Sequence, residues 1–256
     1  MQVGVIGLGA MGGGMAANLA QAGLLRAVWN RSRDKAEALA AEYSMTVAAD
    51  PAELAAVCEV VITCVSRDAD VEAVIEAMQP QLAVGKTIID TSTVSVQTAQ
   101  GLAARLAEIG VDFIDAPVSG GAEGARSGQL VVMAGGEEAV LARVRPALAA
   151  ISKSVTLMGP VGSGQAAKAV NQIMAAGINQ AVTEALAFGE ASGLDMDKVI
   201  DVIGGGLPAT GFSTTADRRW CATVTSQGLN WPCITRIWVF ADRCSTSMEW
   251  PCQWWK

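Results

Sequence analysis

Short runs of β-branched and aliphatic residues alternate with longer Ala-rich stretches over the first 160 positions. Runs at 2–7, 27–30, 60–65, 87–90, 112–116, 129–134 and 154–157 predict strands, and stretches at 11–22, 33–42, 71–78 and 96–109 predict helices between them. Runs such as Val3-Gly4-Val5-Ile6 and Val60-Val61-Ile62 are apolar on both faces and need helices above and below. The expected fold class is therefore α/β: a Rossmann-type, doubly wound, mostly parallel sheet.

Past Met158-Gly159-Pro160 the period changes. From 165 to 192 Ala, Val, Ile, Met and Leu recur at helical spacing, which predicts one helix of about 40 Å at 1.5 Å per residue. A helix of that length links to, or begins, a second, all-α domain. A further helix is expected at 196–203, with Gly193 as its predecessor's stop signal. The division is 1–160 for the sheet domain, 161–211 for the start of the helical domain, and 212–256 for a tail of another character.

That tail carries six of the seven Trp and four of the six Cys, and it has neither a 3.6 nor a 2 period. A zinc site from Cys221, Cys233, Cys244 and Cys252 is disfavoured, since their spacing lacks the close pairs such sites use. Translated back into degenerate codons and read in the neighbouring frame, the tail spells a coherent, His-containing sequence. Thr235-Arg236-Ile237-Trp238, for example, gives Lys-Asp-Leu. The expectation is a one-base shift near codons 207–210 that leaves the tail out of frame, disordered or loosely collapsed.

Composition narrows the chemistry. A net charge of −7 argues against a nucleic-acid partner, which draws on clustered Lys and Arg. No His is present, so Ser-His-Asp and Cys-His catalysis and His-ligated metals are out, and no metal is expected. Proton transfer falls to Lys, Asp, Glu, Tyr or Cys. No stretch reaches the roughly 18 apolar residues of a membrane span, and Met1 leads into the first strand without a signal-like segment. The expected location is cytoplasmic, with no membrane partner. Cys58 and Cys64 lie in an apolar run and read as core.

Gly7-Leu8-Gly9-Ala10-Met11-Gly12 follows the first strand and opens the first helix, the context of a dinucleotide fingerprint. Its glycines allow a tight turn and let a pyrophosphate reach amides at the helix's positive end. At the tip of the second strand, where NAD sites carry Asp or Glu, the chain has Asn30-Arg31-Ser32. Arg and Ser there suit a 2′-phosphate, so NADP(H) is expected over NAD(H). The bland alternative is a solvated Arg31 in a loop.

Three more motifs join this one: Asp90-Thr91-Ser92-Thr93, Asp115-Ala116-Pro117-Val118-Ser119-Gly120-Gly121, and Gly162-Ser163-Gly164-Gln165-Ala166-Ala167-Lys168-Ala169-Val170-Asn171. Together, in this order, they resemble the β-hydroxyacid dehydrogenase family, which includes 3-hydroxyisobutyrate dehydrogenase, tartronate semialdehyde reductase and the glyoxylate/succinic semialdehyde reductases. The resemblance covers residues 1 to about 206. It implies that Ser119, Gly120 and Gly121 hold a substrate carboxylate, that Lys168 is the general acid, and that Asn171, on the same helix face, orients substrate. Val65 and Thr93 are expected to bind the cofactor, Thr93 from the loop that resembles the family's nicotinamide-side segment.

The expected activity is hydride transfer between NADP(H) and a short semialdehyde or keto acid, or its hydroxy acid, in a homo-oligomer. Alternatives are an NAD-dependent, 3-hydroxyisobutyrate-type dehydrogenase and a non-catalytic scaffold. The chain departs from the family in its tail, where the family's C-terminal Lys-Asp-Leu is absent as translated. The loss leaves activity doubtful for this chain as it stands and oligomerisation doubtful with it.

Overall fold

A computed structural model of the chain describes residues 1–204; the expected break and the whole 212–256 tail lie outside the described residues. Two compact units are present, the first Met1–Lys168 and the second beginning at Ala169.

The first unit opens β1 (Val3–Ile6), α1 (Gly12–Gln21), β2 (Leu25–Trp29), α2 (Arg33–Glu42), β3 (Thr46–Val47), α3 (Pro51–Val57), β4 (Val60–Thr63), α4 (Asp68–Met78) and β5 (Thr87–Asp90). It continues with α5 (Val96–Ala107), β6 (Asp112–Asp115), β7 (Val118–Ser119), α6 (Gly121–Arg126), β8 (Leu130–Gly135), α7 (Glu138–Ile151) and β9 (Ser152–Gly159). One sheet runs β3-β2-β1-β4-β5-β6-β8. From β3 to β6 every pairing is parallel, while β8 is antiparallel to β6 and β7 and parallel to β9.

Side-chain alternation sorts the sheet into two cores. Val5, Val28, Ile62, Ile89 and Ile114 face one, with Met15, Leu19, Leu141 and Leu148 from α1 and α7. Ile6, Ala27, Val61, Ile88 and Phe113 face the other, with Leu54, Ile75, Met78 and Leu102 from α3, α4 and α5. This is the doubly wound arrangement that the two-faced apolar runs require.

Some elements go beyond those read from the pattern. In α3, Asp50 accepts a hydrogen bond from the Glu53 amide at 2.7 Å and Pro51 occupies the first turn, a start signal visible in Asp50-Pro51-Ala52-Glu53. Helix α7 contains Pro146, which costs about 3 kcal/mol in a helix interior. Burial of Val140, Leu141, Val144, Leu148 and Ile151 outweighs it, at roughly 1.5 to 3 kcal/mol each. Helix α4 begins at Asp68 rather than 71, with Asp68 and Asp70 placed where the helix dipole favours acids.

Helix α8 (Ser163–Ala191) begins in the first unit and α9 (Met196–Gly204) follows in the second. The first unit extends past 160 because the opening turn of α8 is buried in it: Gln165 is 0% and Lys168 8% exposed. In the second unit α8 leaves Val170, Ile173, Met174 and Phe188 exposed. No helix among the described residues is long and apolar enough to cross a membrane.

Candidate active site

Strand register aligns the places where the loops begin. Ile6 pairs with Trp29 and Thr63, Thr63 with Asp90, and Asp90 with Asp115, so the carboxyl ends of β1, β2, β4, β5 and β6 form one row. Ligands of open α/β sheets bind beyond this edge. The glycine loop, Asn30-Arg31-Ser32, Val65, Thr93 and Ser119 all follow strands that end on it or beside it.

The glycine loop is held by the protein's own contacts. Gly7 has φ +94°, and a Cβ there would overlap the Cys64 carbonyl oxygen. A Cβ on Gly12 would overlap the Gly7 carbonyl oxygen, so the first residue of α1 tolerates no side chain. Gly9 differs: a Cβ there would meet no protein atom within 4 Å. Its bareness serves no internal packing and leaves an open approach to the loop between Leu8, Ala10 and Met11, a cradle that fits a pyrophosphate.

Asn30 ties this loop to the tip of β2. Its Oδ1 accepts from the Leu8 amide at 2.8 Å, and its Nδ2 donates to the Ser32 carbonyl at 2.9 Å. Arg31 is 86% exposed, its guanidinium 3.9 Å from the Asp70 carboxylate, which Arg67 also engages at 3.0 Å. Ser32 precedes the first turn of α2 without a side-chain capping bond.

Three buried polar groups, whose roles no local pattern reports, organise the rest. Asp90 Oδ1 accepts from the Thr63 hydroxyl at 2.7 Å and the Ser92 amide at 3.1 Å, while its buried Oδ2 has no partner. Burial raises the Asp90 carboxyl to about 6 against these hydrogen bonds, helped by the nearby Asp115 charge. Ser92 Oγ accepts from the Val65 amide at 2.9 Å, which fixes Val65 beside the loop carrying half-buried Thr93. Asp115 Oδ1 accepts from the Gly162 amide at 2.8 Å and Oδ2 from the Gln165 amide at 2.9 Å, so a carboxylate from β6 caps the start of α8. Its pKa is raised by burial, with the amides opposing.

The chain then turns through Pro117 into β7 and on to Gly120 and Gly121, with φ of +129° and +60°. A Cβ on Gly121 would meet nothing within 4 Å, leaving uncovered backbone beside Ser119. Lys168 reaches the same segment: its Nζ donates to the Val118 carbonyl oxygen at 2.8 Å. Burial pushes its pKa below the ordinary lysine range. The structure thus brings Lys168 together with Val118 and Ser119. Asn171 belongs to the second unit, and its amide donates to Gln172 at 3.1 Å.

Cys58 is buried and Cys64 half-buried; burial raises both thiols, Cys58 to about 11, which suits packing rather than nucleophilic chemistry. Among the described residues no group of three or more His, Cys, Asp and Glu could hold a metal ion.

Comparison with known proteins identifies the family. Residues 2–159 match the model of the NAD binding domain of 6-phosphogluconate dehydrogenase. Residues 162–228 match that of the NAD-binding of NADP-dependent 3-hydroxyisobutyrate dehydrogenase. The chain is 37% identical over 214 residues to 2-hydroxy-3-oxopropionate reductase of Escherichia coli (strain K12), covering 82% of this chain and 72% of that protein. It is 34% identical over 207 residues to glyoxylate/succinic semialdehyde reductase 1 of Arabidopsis thaliana, covering 79% and 71%. The solved structure of 3-hydroxyisobutyrate dehydrogenase from Salmonella typhimurium superposes with a TM-score of 0.84 at 28% identity, over 99% of this chain and 90% of that one. With a Rossmann sheet, a glycine cradle and these matches along its length, the chain belongs to the β-hydroxyacid dehydrogenase family of NAD(P)-dependent oxidoreductases.

Proposed function

We propose that the chain is a reductase of short semialdehydes or keto acids bearing a carboxylate, with NADP(H) as the preferred cofactor. The observation that carries this reading is the Lys168 ammonium, buried and hydrogen-bonded to Val118, next to the small-residue segment Ser119-Gly120-Gly121.

The Ser119 hydroxyl and the amides of Gly120 and Gly121 bind the substrate carboxylate; Gly120 is backed by the Leu130 side chain, and the space beside Gly121 is open. That places a neighbouring carbonyl within reach of Lys168. When bound, the cofactor supplies a hydride to the carbonyl carbon in reduction or takes one from the alcohol carbon in oxidation. Lys168 gives its proton to the carbonyl oxygen during reduction, leaving a neutral amine that solvent reprotonates; in oxidation the amine takes the hydroxyl proton. Burial lowers the lysine pKa, which eases loss of the ammonium proton in reduction. Asn171 orients the substrate oxygen.

Gly7, Leu8, Gly9, Ala10, Met11 and Gly12 hold the pyrophosphate, with Val65 and Thr93 on the nicotinamide side. Asn30 sets the register of the loop and of the adenosine end. Arg31, exposed and only loosely paired, is free to bind a 2′-phosphate, with Ser32 beside it. A buried amine poised at a substrate segment favours catalysis over a scaffold role. A cytoplasmic location is part of the same proposal, and homo-oligomerisation is proposed for the frame-restored protein.

The test is loss of NADPH absorbance with glyoxylate or succinic semialdehyde, using both this chain and one with a base restored near codon 208. Consumption of NADPH well ahead of NADH supports the reading. Oxidation of 3-hydroxyisobutyrate with NAD, and no reduction of either aldehyde, would replace it with the dehydrogenase alternative.

A further inference from the structure

Gln165 lies one helical turn before Lys168 and is 0% exposed. Its side-chain Nε2 donates to the Ser92 carbonyl at 2.9 Å, and its Oε1 accepts from the Val94 amide at 3.2 Å. Both ends of one amide thus grip the backbone of a single loop in a fixed register. The backbone amide of the same residue donates to Asp115 Oδ2. Ser92 is itself held by Asp90 and by the Val65 amide. Gln165 is therefore the point where the loop carrying Thr93, the end of β6 and the start of α8 meet.

We propose that Gln165 is a positioning residue that locks the first turn of α8 to the 92–94 loop and so sets where the Lys168 ammonium stands relative to the nicotinamide side. The proposal rests on Lys168 as the proton donor. An apolar side chain of equal size would fill the cavity as well as an amide does, so packing does not require glutamine. What the amide adds is direction: two hydrogen bonds that fail if the helix slides or rotates. Lys168 sits about 4.5 Å further along the axis of a rigid helix, so movement at Gln165 passes to its amine. The start of α8 has little room to compensate, since a Cβ on Gly164 would press on Asp115 and Met133. Misplacement by about 1 Å can cost on the order of a hundredfold in turnover.

The experiment reads the amine itself in the full chain. Competitive labelling with acetic anhydride across a pH series, followed by mass spectrometry, gives a reactivity profile for Lys168 and for exposed Lys153 as an internal reference. Gln165→Leu and Gln165→Met are compared with the parent. Both variants are expected to free the amine toward solvent, raising the midpoint of the Lys168 profile by at least about half a pH unit and increasing its labelling, with Lys153 unchanged. A lowered melting temperature with the parental Lys168 profile would show a merely structural role and overturn the proposal. If neither variant folds, the residue is needed for the fold itself and the proposal fails too. Whether Lys168 is the proton donor is read separately, from the turnover of Lys168→Ala, so the two ideas can fail independently.

Discussion

The Lys168 Nζ donates to the Val118 carbonyl oxygen at 2.8 Å, so the buried amine is anchored one residue before Ser119, the first of the three small residues proposed to hold the substrate carboxylate. A carbonyl partner has no proton to give and no charge to cancel. The amine stays available for exchange while its position is set by β7. In a frame-restored protein Lys168→Ala should lower turnover by roughly 10² to 10⁴, the usual worth of a positioned general acid. NADPH affinity should be nearly unchanged. Near-parental turnover on a substrate that the parent reduces would remove Lys168 from the role.

The glycines of the cofactor loop should separate by function. Gly9 has no positive φ and open space at its Cβ, so Gly9→Ala should leave the melting temperature within a few degrees of the parent while weakening NADPH by tenfold or more, as measured by fluorescence titration; these are order-of-magnitude expectations for obstructing a phosphate cradle. Gly12→Ala drives a Cβ into the Gly7 carbonyl and should cost about 1 to 3 kcal/mol of stability. Unaltered NADPH binding by Gly9→Ala would show that the phosphates do not pass over that residue.

Asp90 predicts a pH dependence of stability. Its folded pKa, about 6, lies above that of an unfolded aspartate, so between about pH 4 and 6 the folded state binds more protons than the unfolded one. The contribution of this group is present at the acid end of that window and is lost as pH rises through 6. Asp90→Asn keeps an acceptor for Thr63 and Ser92 and removes the charge. Above pH 7 the variant should be more stable than the parent by about 1 to 3 kcal/mol, with the gap narrowing below pH 6 and closing toward about pH 4. Melting curves that stay parallel from pH 5 to 8 would rule out an ionisation at this site.

Arg31 has no buried partner to satisfy, so Arg31→Ala should be silent for stability. It should weaken NADPH by roughly 10- to 100-fold, the scale of one or two charge-assisted hydrogen bonds, and NADH far less. Equal losses for the two cofactors would return Arg31 to an ordinary solvated loop residue. Asp70, the carboxylate nearest to it, gives an opposite arm: Asp70→Asn removes a competitor for the guanidinium and should tighten NADPH.

The sequence made the sheet legible because its strands are apolar on both faces, a pattern that Val60-Val61-Ile62 carries without ambiguity. The candidate residues of the site, the glycines, Lys168 and Arg31, are readable from their motifs, and their roles stand as proposals. Asp115, Gln165 and Asp90 lie within motifs, but their roles are not readable from them. Their partners lie 71 to 73 positions away for Gln165 and 47 to 50 for Asp115, distances that no local period reports. Helix α6 escaped notice because six residues that begin with Gly121 give too few positions for a 3.6 period. Asn30 illustrates the reverse case: its place at the strand tip was readable, but its bond to the Leu8 amide across 22 residues was not.

The family's Lys-Asp-Leu stretch is spelled in the neighbouring frame over Thr235-Arg236-Ile237-Trp238, while the protein as translated has six Trp beyond residue 212 and no helical period there. The match to the second family model runs to residue 228, beyond the inferred break near codons 207–210, so the position of the shift is itself open to measurement. Restoring one base near codon 208 should return an in-frame Lys, and NADPH oxidation with a short semialdehyde should rise from little or nothing in the present chain. In the restored protein, replacing that Lys by Ala should again depress turnover, whereas in the present chain no residue in the tail should matter. Full activity in the unrepaired chain, or no gain after repair at any codon from 200 to 215, would mean that the tail is translated in its proper frame.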